Sequence, residues 1–86
     1  MTEQQPITLS TRQTQCLVLM VRDFSTKQIA FELGISTRTV LHYITDLKAK
    51  FDVTERPAVV GEAVKQNILK WDSDAWKVVI PEREYQ

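Results

Sequence analysis

Apolar residues recur at helical spacing along the first two thirds of the chain, in runs bounded by residues that start or stop helices. Cys16, Leu17, Met20 and Val21 make one stripe, with Leu19 on a second flank; Ser10 or Thr11 caps this helix, which runs to about Arg22. Ser25 opens a second, short helix over about 26–33, and Gln28, three residues on, completes a capping box. Ile29, Ala30 and Leu33 share one of its faces. Gly34 supplies the stop, because glycine takes the left-handed conformation at no steric cost. Ser36 caps a third helix over about 37–51, in which Val40, Ile44, Leu47 and Phe51 recur at intervals of four, three and four. That seam is the predicted inward face, buried together with Ile29 and Leu33. A connection as short as Gly34 to Ser36 leaves the two helices crossed, the arrangement in which one helix supports another in a DNA major groove.

The pattern changes after Phe51. Asp52 to Arg56 is a short connection, and Pro57 fits the first turn of a fourth helix, where its missing N–H costs nothing. Val59, Val60, Ala63, Val64 and Ile68 give that helix apolar residues on more than one side. Ile68 to Trp71 and Ala75 to Pro81 then read as two short strands around Asp72-Ser73-Asp74, rich in tryptophan and β-branched residues. The first strand reads equally well as the end of the fourth helix. The predicted architecture is all-α: four helices containing a helix-turn-helix, with a short C-terminal β-hairpin or an extended tail. Residues 1–8 form a polar, flexible arm, 9–69 the domain, and 70–86 a C-terminal extension.

Eighty-six residues allow one domain with a small core. Eleven basic and eleven acidic side chains give a formal net charge of zero, whereas nucleic-acid binders usually carry a positive excess. The charge is unevenly placed. From Ser36 to Lys50 stand Arg38, Lys48 and Lys50 against Asp46, while beyond Trp71 Asp72, Asp74, Glu82 and Glu84 outnumber Lys77 and Arg83. Any nucleic-acid face is therefore local. One cysteine and one histidine make no metal-ligand set, and Cys16 reads as a small buried hydrophobe. No cofactor is expected. No apolar run is long enough for a membrane, so the expected location is the cytoplasm.

With the seam inward, Arg38, Leu41, His42, Thr45 and Ala49 lie along one exposed stripe of the third helix, and Tyr43, Asp46 and Lys50 along its neighbour. The first stripe suits base edges: Arg38 for guanine, His42 as donor or acceptor, Leu41 against a thymine methyl, Thr45 for either kind of contact. Lys48, Lys50 and Lys27 would reach phosphates and fix register. Ser36, Thr37 and Thr39, with the free N–H groups of the helix start, form a phosphate site. Alone, such a stripe is often no more than a solvated helix face.

Leu9-Ser10-Thr11-Arg12, Lys27-Gln28-Ile29-Ala30, Leu33-Gly34-Ile35-Ser36, Arg38-Thr39-Val40 and Lys50-Phe51, followed by Val53 and Arg56, resemble the LuxR/GerE-type DNA-binding domain over about Leu9 to Val64. The resemblance implies a four-helix transcription-regulator domain whose third helix enters the major groove and whose fourth forms the dimer contact. It implies phosphate contacts at Lys27, Thr39 and Lys50, and base-facing positions at Leu41, His42 and Thr45. It also implies either a small stand-alone regulator or an excised domain. Three positions depart from the pattern: family members usually carry lysine at Leu41, histidine at Tyr43 and, frequently, glycine at Asp23.

The sequence thus favours a sequence-specific regulator bound to double-stranded DNA as a homodimer. The rival is a protein-binding adaptor or antagonist that kept the fold and lost much of its DNA binding, which neutral charge, Leu41 and the acidic, aromatic tail favour. Val60, Val64 and Ile68, at steps of four, with Trp71, are the expected dimer surface, and the tail is also a candidate contact for another protein. Trp71 and Trp76 could instead fold back onto their own domain. An enzyme is not expected, since there is no phosphate loop, paired-carboxylate pocket or nucleophile–base pair.

Overall fold

The computed structural model describes residues 7–78, so most of the expected arm and the stretch from Val79 onward, including Pro81, lie outside the described residues. Four helices are followed by a hairpin: α1 (Thr11–Val21), α2 (Thr26–Leu33), α3 (Thr37–Phe51), α4 (Arg56–Lys65), β1 (Leu69–Asp72) and β2 (Ala75–Val78). Helix α3 is the hub, packed by α1, α2 and α4, while β1 lies against α4 and β2 against α1.

Each of the first three helices starts on a serine that satisfies an otherwise orphaned N–H. Ser10 and Ser25 form full capping boxes with Gln13 and Gln28, and the Ser36 hydroxyl accepts from the Thr39 N–H. The helix ends follow an equally uniform rule. Asp23, Gly34, Asp52 and Asn67 all stand at positive φ, between 58° and 69°. The next residue in each case donates its N–H back into the preceding helix: Phe24 to the Leu19 carbonyl, Ile35 to Ala30, Val53 to Lys48 and Ile68 to Ala63. These are Schellman stops, in which the residue after the left-handed one is apolar and turns inward. Phe24, Ile35 and Val53 pack half-buried against the core and Ile68 enters it.

Asn67 corrects one sequence expectation. The four-residue spacing places Ile68 on α4 beside Val60 and Val64, but the helix ends at Lys65 and the left-handed Asn67 redirects the chain. Ile68 is 4% exposed inside its own domain and is not part of an outward stripe. On α1 the flank roles also change: Leu19 is buried, whereas Val21 is half-buried.

The core consists of Leu9, Cys16, Leu17, Leu19, Met20, Ile29, Ala30, Val40, Ile44, Leu47, Phe51, Val59, Ala63, Ile68 and Leu69. The predicted seam of α3 is buried throughout, as is Ile29, with Leu33 half-buried at its margin. Cys16 is fully buried, and burial pushes its thiol up, with Arg12 and Arg56 opposing weakly. A thiol held that way is a packing group. Ile7, placed in the arm by its polar neighbourhood, packs half-buried on the core. Arg56 fastens the start of α4 to the start of α2 through the Phe24 carbonyl and the Thr26 hydroxyl.

The hairpin is amphipathic. Its antiparallel register pairs Leu69 with Val78, Lys70 with Lys77, Trp71 with Trp76 and Asp72 with Ala75. Strand alternation therefore gathers Leu69, Trp71, Trp76 and Val78 on one face and Lys70 and Lys77 on the other. Leu69 is buried, and Trp76 and Val78 are half-buried against the core. Trp71, nearer the turn, overhangs the core at 59% exposure and meets Trp76 edge-to-face with ring centroids 5.5 Å apart. On the opposite face Lys77 pairs with Asp72 at 2.8 Å.

Candidate nucleic-acid interface

The seam of α3 fixes the roll of the helix, and the roll decides what it shows to solvent. Val40 and Leu47 are fully buried and Ile44 nearly so. Residues on the opposite side of the helix from that line must then face out. Thr37, Arg38, Leu41, His42 and Thr45 do so, lining one shallow concavity on the outer surface. Leu41, at 53% exposure, is the one wholly apolar side chain among them. No metal-holding group of three or more His, Cys, Asp or Glu occurs among the described residues.

The start of α3 is tightly organised. Beyond capping the Thr39 N–H, the Ser36 hydroxyl lies 2.9 Å from the Thr39 hydroxyl. Ser36 is exposed and Thr39 half-buried. The N–H groups of the first turn have no partner within the helix and sit at the positive end of its dipole. Thr37 and Arg38 occupy that turn, so an anion there would meet N–H groups, an ordered hydroxyl pair and a guanidinium.

The three lysines expected at phosphates are not equivalent, because Lys50 is already engaged. Its ammonium donates to the Thr8 carbonyl and, at 3.1 Å, to Gln13 Oε1, which also accepts from the Ser10 N–H. Lys50 therefore clamps the last turn of α3 to the cap of α1, and it stands away from the concavity lined by Arg38 and His42. Lys27 is exposed on α2, and Lys48 is half-buried. Tyr43, placed on an exposed stripe by spacing, packs half-buried against the core, while Asp46 is exposed.

Of the expected dimer residues, Val64 is 41% exposed and Trp71 more so, while Val60 is half-buried against the core. With Ile68 withdrawn, the outward apolar surface there is Val64 and the Trp71 ledge. Another exposed apolar residue went unnoticed in the sequence: Phe31, on the outer side of α2, is 87% exposed beside Lys27, Gln28 and Glu32. The signal was available, since Ile29, Ala30 and Leu33 define the inner face and Phe31 falls off it.

The chain matches the family model for bacterial regulatory proteins of the luxR family over residues 7–63. It is 36% identical over 62 residues to the spore germination protein GerE of Bacillus subtilis (strain 168), covering 72% of this chain and 84% of that protein. It is 33% identical over 61 residues to the oxygen regulatory protein NreC of Staphylococcus haemolyticus (strain JCSC1435), covering 71% of this chain but only 28% of NreC. Among solved structures, the transcription factor GerE superposes with a TM-score of 0.65 at 32% identity, over 73% of this chain and 92% of that one. The Vibrio cholerae VqmA dimer without its target DNA gives 0.69 at 26% identity, over 71% of this chain and 28% of that one. The family match holds the first three helices and most of α4, as far as Ala63, and stops short of the hairpin. On these grounds the chain belongs to the LuxR family of bacterial regulatory proteins and carries its GerE-type helix-turn-helix domain, the DNA-binding domain of a class of transcription regulators.

Proposed function

We propose that the protein is a sequence-specific transcription regulator that places α3 in the major groove of double-stranded DNA and acts as a homodimer. One observation carries the reading: the fully buried seam of α3 turns Thr37, Arg38, Leu41, His42 and Thr45 outward together, on a helix whose start is capped and open to an anion. Arg38, His42 and Thr45 read base edges. Ser36, Thr37 and Thr39 hold a phosphate at the helix start, with Lys27 and Lys48 on neighbouring phosphates. Lys50 joins them only by giving up Thr8 and Gln13, so it contributes less than its position suggests.

Zero net charge makes a second half-site valuable, because each domain alone neutralises few phosphates. Val64 and the Trp71 ledge supply the contact between copies. Binding of wild-type protein to random duplex, titrated with salt, counts the phosphate contacts through its slope. Lys27→Ala should lower affinity for specific and random duplex alike and reduce that slope by about one, whereas Thr45→Ala should relax preference at one or two base pairs. Val64→Asp should leave a folded monomer with weakened DNA binding.

The adaptor reading has its own support in the neutral charge, the occupied Lys50 and the apolar Leu41. It predicts no duplex binding even at low salt, and that result would displace the regulator reading.

A further inference from the structure

Leu41 is the anomaly of the outer face of α3. Its neighbours in sequence already supply the seam: Val40 is fully buried and Ile44 is 4% exposed. Leu41 itself keeps about half its surface in water, in a concavity otherwise lined by Thr37, Arg38, His42 and Thr45. The fold has little use for leucine there. A single exposed leucine needs no explanation in general, but this one is part of the surface proposed above to meet bases.

Major-groove edges present hydrogen-bond donors, acceptors and one apolar group, the C5 methyl of thymine. A leucine pressed against the N4 amino group of cytosine or the N6 amino group of adenine would strip water from a donor and return no acceptor, an unfavourable exchange. Against a phosphate it would do the same to an anion. Against a C5 methyl, both partners lose only apolar hydration. We propose that Leu41 is a specificity-determining residue that selects a C5-methylated pyrimidine in the major groove, thymine in ordinary DNA and 5-methylcytosine where it occurs. The proposal rests on the DNA-reading role of α3 and adds to it the chemical identity of one contact. Arg38, three residues earlier, and Thr45, four later, share its side of the helix, so the methyl lies between the groups they contact.

The test begins with duplexes enriched by the full-length wild-type protein from a random-sequence pool. Each thymine of an enriched duplex is replaced in turn by deoxyuridine, which deletes the methyl and leaves every hydrogen-bonding group in place. Wild-type protein should lose about fourfold in affinity at one thymine per half-site, the value of one buried methyl. Leu41→Ala should show no difference between thymine and deoxyuridine there, while Leu41→Met, which keeps an apolar reach, should retain part of it. Replacing that T·A pair by 5-methylcytosine·G should bind wild-type protein more tightly than cytosine·G, and Leu41→Ala should not distinguish the two. Circular dichroism should show the same melting temperature for all three proteins. If wild-type protein discriminates among duplexes but no deoxyuridine substitution weakens it, or if Leu41→Ala remains equally sensitive, the role of Leu41 is refuted and the DNA reading stands. If no duplex is enriched, both fall together.

Discussion

Helices α2 and α4 end by the same device and lead to opposite outcomes. After α2, left-handed Gly34 and inward Ile35 are followed at once by Ser36, which caps α3, so the chain re-enters a helix and builds the helix-turn-helix. After α4, left-handed Asn67 and inward Ile68 are followed by no cap. Leu69, Trp71, Trp76 and Val78 alternate instead, and the chain becomes a hairpin laid on the core. A Schellman stop fixes the direction in which the chain leaves a helix; the next two or three residues decide what it becomes. The first region lies within the family match and presents a largely polar outer face. The second lies beyond the match and presents an overhanging tryptophan.

If the two regions share one core, truncating either should cost alike. Leu47, fully buried on α3, and Ile68, buried after α4, are both expected to lose about 2–5 kcal/mol on change to alanine, a large share of a small domain's stability. Urea unfolding followed by tryptophan fluorescence measures both. A loss at Leu47 with almost none at Ile68 would make the hairpin a loosely attached appendage and break the comparison. Alkylation of Cys16 gives an independent check, because its buried, upshifted thiol reacts only when the domain opens.

The helix stops sharpen the comparison at a smaller scale. A methyl added at Gly34 meets nothing within 4 Å, so Gly34→Ala is resisted by its positive φ alone, about 1–2 kcal/mol. The opposite change at the other stops, Asp23→Gly or Asn67→Gly, should be stabilising by under about 1 kcal/mol, since relieved backbone strain is partly offset by the extra freedom of glycine when unfolded. Thermal melts of the three variants suffice. A destabilised Asn67→Gly would mean that the asparagine side chain, and not its backbone conformation, holds the end of α4.

The same contrast explains what could be read without coordinates. The α2–turn–α3 segment carries its punctuation in residues with strong meanings: serine caps, a glycine stop, and apolar spacing of four, three and four. Its helix limits and buried face follow from local chemistry. At Asn67 the stop is an asparagine among polar residues, and Ile68 continues the four-residue spacing of Val60 and Val64, so periodicity argues for a longer helix. What overrules it is a tertiary fact, the pull of the core on Ile68 and Leu69. The internal bonds of Lys50 were hidden for a related reason. Its place on the helical wheel is legible, but its acceptors, Thr8 and Gln13, are some forty residues away in sequence. The outer face of α3, by contrast, was legible as a surface because burial of the opposite seam leaves it nowhere else to go.

The smallest expected effect is at Phe31, and it tests whether exposure alone marks importance. Phe31 is the most exposed large apolar residue among those described, on the outer side of α2, yet it contributes no burial to the core. Phe31→Ser should therefore change stability by less than about 0.5 kcal/mol, as surface substitutions away from caps and networks do. It should also leave the salt slope of duplex binding unaltered, since serine and phenylalanine are both uncharged and Lys27, one turn earlier, keeps its charge. Trp71→Ser is the matched control from the second region, because that side chain is also largely exposed but touches Trp76, which packs on the core. A serine there should loosen the edge-to-face pair and lower stability by about 0.5–1.5 kcal/mol. Equal effects at the two sites would mean that the hairpin aromatics pack no better than an isolated surface phenylalanine. A larger loss at Phe31 would show that the outer face of α2 is covered in solution, which sedimentation of the wild-type and Phe31→Ser proteins at matched concentrations would reveal as a difference in mass.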